Sequence, residues 1–96
     1  MTLAELRAEL RRRRAVLVAA RRGTGSTAEL ERGIRNLAAE VARIARAQAE
    51  AAERQVPLAP TQEKREHWLR LASERWLVVG EAEDEGDFHE VYGLDT

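Results

Sequence analysis

The chain has 96 residues, enough for one domain, and its 42 apolar residues include 17 Ala, leaving only 25 side chains large enough to fill an interior. A core this thin beside 34% charged residues points to support from a second copy, while the absence of Cys excludes disulfides, thiolate nucleophiles and Cys-ligated metal sites. The net charge of −1 hides a polarised chain: residues 1–60 hold 12 Arg against 7 Glu, residues 61–96 hold 4 Lys or Arg against 10 acids, and the last sixteen residues carry seven acids and no base.

Thr2 followed by Glu5 has the form of a capping box, and Leu3, Leu6, Leu10 and Leu17 then recur at helical spacing, which predicts a first helix over 3–22. Gly23-Thr24-Gly25 ends it, with Arg21 and Arg22 suited to the negative end of the helix dipole. Ser26 and Glu29 repeat the capping pattern. Leu30, Ile34, Leu37, Val41, Ile44, Gln48 and Ala51 then alternate spacings of four and three, predicting a second helix over 27–54. The short connection makes residues 3–54 an antiparallel helical hairpin, in which the second helix, at about 1.5 Å per residue, overhangs the first by roughly two turns. Gly33 within it offers a place for a close neighbour.

Val56-Pro57-Leu58-Ala59-Pro60 interrupts the helical pattern, because residues before Pro avoid the helical region and Pro lacks the amide. Thr61 then caps a third, amphipathic helix over 62–79, with Trp68, Leu69, Ala72, Trp76 and Val79 on its apolar face and Gly80 as its stop. A small β-hairpin over 75–93 competes with that helix end, since Trp76-Leu77-Val78-Val79 is β-prone and Asp84-Glu85-Gly86-Asp87 is turn-like. An isolated hairpin is marginal, so the expected fold is all-α: one helical domain over 1–80 and an acidic, largely flexible tail over 81–96.

Leu30, Ile34, Leu37, Val41 and Ile44 form a heptad-like seam suited to a homo-oligomer contact, with Gln48 available to fix its register. Arg7, Arg11, Arg14 and Arg21 line one stripe of the first helix, and Arg32, Arg35, Arg43 and Arg46 lie opposite the seam of the second. Such rows can neutralise a polyanion, although pairs such as Glu9 with Arg13, Glu31 with Arg35 and Glu50 with Arg54 equally describe a solvated face. No aromatic interleaves the arginines for base stacking, and the helices are too long for a helix-turn-helix. Trp68 and Trp76, within about 80° on the third helix, either cover the overhang or anchor a partner, and Phe88, Val91, Tyr92 and Leu94 in the acidic tail are candidate anchors for the basic groove of a partner or of the same assembly.

Glu81, Glu83 and Glu85 followed by Gly86 match the first half of a calcium-binding loop, but Tyr92 stands where the bidentate Glu is needed, so no metal is expected. His67 and His89 have no nucleophile or orienting group in any readable motif. Neither a catalytic residue nor a cofactor is expected. The longest apolar run is the six residues 15–20, far below the roughly 20 needed to cross a bilayer. The expectation is therefore a cytoplasmic, non-enzymatic adaptor or regulator that self-associates and binds a protein partner, not a membrane. The alternative is a nucleic-acid-binding regulator of antitoxin-like layout, with Arg-rich helices on the nucleic acid and the acidic tail on a protein.

Overall fold

Thr2 and Thr61 each open a helix as their sequence context predicts. The computed structural model describes residues 1–23 and 26–86; most of the expected tail, with Phe88, Val91, Tyr92 and Leu94, lies outside the described residues. Within them the chain is all-α: α1 (Leu3–Ala20), α2 (Ala28–Gln55), one turn of 3-10 helix (Val56–Leu58) and α3 (Gln62–Glu85). The Thr2 hydroxyl oxygen accepts from the Glu5 amide at 3.1 Å and donates to the Glu5 carboxylate at 3.2 Å, which is half of the reciprocal box. Thr61 accepts from the Lys64 amide at 3.1 Å.

Three boundaries differ from expectation. α1 stops at Ala20, two residues early, because the chain tightens there: the amides of Arg22 and Gly23 bond back three residues to Ala19 and Ala20. The Ser26–Glu29 box does not form. Buried Thr27 takes the N-cap position instead, its carbonyl accepting from the Glu31 amide at 2.9 Å and its hydroxyl donating to the Glu31 carboxylate at 2.9 Å. Finally, α3 runs through Gly80 to Glu85, so residues 75–85 form neither a hairpin nor a tail. Val78, Val79 and Ala82 are buried in the common core, and that burial outweighs both β-propensity and the cost of about 1 kcal/mol for a helical Gly.

α2 and α3 are antiparallel and form the main contact, rather than the α1–α2 pair. Arg75 donates to Gln48 at 2.6 Å on one flank of their interface, while Arg46 meets Glu83 at 3.2 Å and the Trp76 indole N–H donates to Glu53 on the other. Between these flanks the buried line of α2 is Ile34, Ala38, Val41, Ala45, Ala49 and Ala52, opposed by Ala72, Val79 and Ala82. Small side chains let the two backbones approach closely. α1 lies across one face of this pair, burying Leu10 and Leu17, packing Leu3 and Leu6 on the core, and joining Arg7 to Glu81 of α3. The molecule is long and flat, 59 × 29 × 14 Å.

Glu9 is the electrostatic centre of α1's outer side. It accepts from Arg12 at 2.9 and 2.5 Å and from Arg13 at 2.9 Å, and these bonds hold its carboxyl down from 4.5 to about 2. Arg43 holds Glu40 below the ordinary carboxylate range in the same way. A carboxyl whose pKa is depressed by folding stabilises the fold above its unfolded value and ceases to do so as pH falls through its folded one. Thermal stability is therefore expected to decline between pH 4.5 and about 2, less steeply in Glu9→Gln. An unchanged slope in that variant, followed by circular dichroism, would show that the clamp contributes nothing.

Candidate interaction surface

The seam read from the sequence is one edge of the buried line. Ile34 and Val41 have 0% exposure inside a single chain, packed with Leu10 and Leu17 of α1 and Val78 and Val79 of α3. A contact between copies through those two residues would require the chain to open. Leu30 and Leu37 are half-buried and pack against the core, Ile44 is half-buried, and Gln48 and Ala51 are exposed. This edge therefore passes from a covered half into an uncovered one.

The uncovered half exists because α1 has 18 residues and α2 has 28, a difference of about 15 Å of helix. Past the start of α1 the same face carries a groove of about 370 Å3, lined by Gln48, Ala51, Ala52 and Gln55 of α2 and Trp68, Leu71 and Arg75 of α3. Trp68 is half-buried and packs edge-on against exposed His67, with ring centroids 5.1 Å apart. Trp76 lies on the opposite flank, partly exposed and tied to Glu53, so the two Trp do not share the overhang. Leu71, Arg75 and Gln55 were not singled out by sequence; the stripe Trp68-Leu71-Arg75-Val78-Ala82, at spacings of three and four, was the signal that could have found them.

A second groove, of about 540 Å3, runs on the other side of α2 past Ala39, Ala42, Ala47 and Glu50, between Arg43, Arg46 and Glu83. Its basic groups are already engaged, Arg43 by Glu40 and Arg46 by Glu83. Arg7 is bound to Glu81, with its Nε buried and unpartnered, and Arg21 and Arg35 are also engaged. Of the eight arginines in the proposed polyanion rows, Arg7, Arg43 and Arg46 are ion-paired, while among the described residues Arg11, Arg14 and Arg32 form no ion pair. The nearest atom to a Cβ at Gly33 would be Arg13 Nη1 at 3.7 Å, ordinary contact with a side chain rather than a close helix crossing.

Glu81, Glu83 and Glu85 stand on helix α3, so they do not converge as a calcium loop would, and among the described residues no group of three or more His, Asp or Glu is placed to hold a metal ion. No helix of the described residues is long and apolar enough to cross a membrane. No protein-family model matches the chain, and no curated protein or solved structure matches it.

Proposed function

We propose that this chain is a small non-enzymatic helical adaptor or regulator, which self-associates and binds a protein partner through the uncovered end of the α2–α3 face. The observation that carries this reading is the groove beyond α1, where Trp68 and Leu71 line an apolar channel collinear with a helix that the chain itself supplies only over the other half. A helix laid in that track would bury an aromatic anchor, the kind of residue that dominates association energies. Leu69 and Leu77 on α3 and Leu58 at the turn are exposed apolar side chains outside this groove.

Light scattering is expected to give a mass of at least a dimer on the order of tens of micromolar, an affinity in the range of about −6 to −8 kcal/mol. Leu71→Glu, which places a charge in the groove, should shift that equilibrium to monomer while circular dichroism keeps its helical signature. A monodisperse wild-type monomer at that concentration would overturn the self-association.

The second reading, a nucleic-acid-binding regulator, draws on Arg11, Arg14 and Arg32, whose guanidinium groups have no acidic partner among the described residues. Three bases give a small electrostatic footprint, and binding would have to weaken steeply with salt.

A further inference from the structure

We propose that the outward face of α3 is a further self-association surface, on which α3 of a second copy lies antiparallel, centred on Trp76 and Leu77. At 3.6 residues per turn, Leu69, Ser73, Trp76, Leu77 and Gly80 fall within about 100° of one another on this helix. All five are exposed, Leu77 to 64%. Trp68 of the groove stands nine positions before Leu77, about half a turn round the helix. This contact is therefore separate from the groove contact proposed above and does not depend on it. Two faces on opposite sides of α3 let the chain assemble beyond a dimer.

Gly80 marks where the two helices would come close. A glycine weakens a helix, yet no atom of the described residues lies within 4 Å of a Cβ built at this position, so packing inside the chain does not require it. Between two helices the missing side chain lets the backbones approach, and Ser73 is the other small residue of the stripe.

Charge selects the occupant. Arg70 and Asp84 lie at opposite ends of the stripe, about 21 Å apart and each within about 20° of Leu77 round the helix. Among the described residues neither forms an ion pair. A two-fold axis between Trp76 and Leu77 sets Ser73 level with Gly80 of the second copy, and brings Arg70 within about 1.5 Å of the level of its Asp84. The symmetry repeats both pairings, and in an antiparallel pair the same flank of each helix meets, so Arg70 and Asp84 fall on one side. Parallel helices would instead set Arg70 on Arg70 and Asp84 on Asp84. Glu66, which accepts from Gln62 at 3.2 Å, is the like charge on that side, and it stands about 4.5 Å from the level of the second copy's Asp84, further than Arg70. The stripe is thus complementary to itself in one direction only.

A single pair of helices buries less than a standard interface, so the expected Kd is on the order of 100 μM. The test uses the full chain carrying Leu71→Glu, which removes the groove contact and leaves this one. Sedimentation equilibrium at roughly 0.5 mM should give a dimer, largely dissociated at tens of micromolar. Adding Asp84→Arg should weaken that dimer roughly tenfold or more, and adding Arg70→Asp to it should restore the dimer by exchanging the charges. Gly80→Leu, at a position with open space in its own chain, should melt no lower than the parent and yet stay monomeric. A monomeric Leu71→Glu parent at roughly 0.5 mM would overturn the proposal, leaving the stripe to a different protein and the groove reading intact. A dimer indifferent to Asp84→Arg, not rescued by the charge exchange, or unaffected by Gly80→Leu would overturn it equally.

Discussion

Ile34→Asp is expected to abolish the cooperative melting of the helices. Ile34 has no solvent exposure and packs in the one cluster that joins all three helices, through Leu10 and Leu17 on α1, Val41 on α2 and Val78 and Val79 on α3. The cluster around Ile34 is apolar, and burying a charge there costs several kcal/mol or forces the group to take up a proton. A domain of this size has about 5–15 kcal/mol in total, and its Ala-rich interior places it at the low end. The expected circular dichroism is a shallow, non-cooperative melt at neutral pH, partly recovered in acid as the new carboxyl protonates. Ile34→Val, which removes one methylene, should cost only about 0.5–1.5 kcal/mol and keep the transition sharp. An Asp variant that melts like wild type would mean that this side of α2 is open to water.

The helices themselves could be read from local chemistry. Thr2 and Thr61 offer hydroxyl oxygens to amides three residues on, Pro57 and Pro60 break the pattern between α2 and α3, and leucines at spacings of three and four mark α1. The pairing and rotation of the helices were less accessible, for a reason visible at α2. Periodicity weighs large side chains, so Leu37, Ile44 and Gln48 drew the predicted seam toward one edge, whereas the buried line of α2 runs through Ala38, Ala45, Ala49 and Ala52, each adjacent in sequence to a residue of that spacing. The end of α3 was hidden similarly. Gly80 and a β-prone tetrapeptide argue locally for a stop, and only the burial of Val78, Val79 and Ala82, with Arg7 and Arg46 receiving Glu81 and Glu83, carries the helix to Glu85. Trp68 stood out as a candidate anchor, but Leu71, Arg75 and Gln55 became part of a surface only once α1 was seen to be ten residues shorter than α2.

That rotation of α2 predicts opposite outcomes for two neighbouring alanines. Ala49 is completely buried, between the Arg46–Glu83 and Glu53–Trp76 contacts on one flank of α3 and the Gln48–Arg75 contact on the other. Ala49→Leu must push α2 and α3 apart or force strained rotamers, at a cost of about 1–3 kcal/mol or more. For a chain of this size that is a fall in melting temperature of roughly 5–20 °C. Ala51, two residues on, is exposed in the groove beside Trp68 and Leu71. Ala51→Leu keeps a strong helix former at an exposed position and should leave stability within about 0.5 kcal/mol of wild type. Its added apolar surface would instead be felt in association, by raising the fraction of dimer seen by light scattering. Had the seam run through Gln48 and Ala51, as the heptad spacing alone implies, the sensitivities would be exchanged. Thermal melts of the two variants side by side therefore decide which face of α2 meets α3, and a destabilised Ala51→Leu beside an unaffected Ala49→Leu would rotate the helix by about 160° from the arrangement described above.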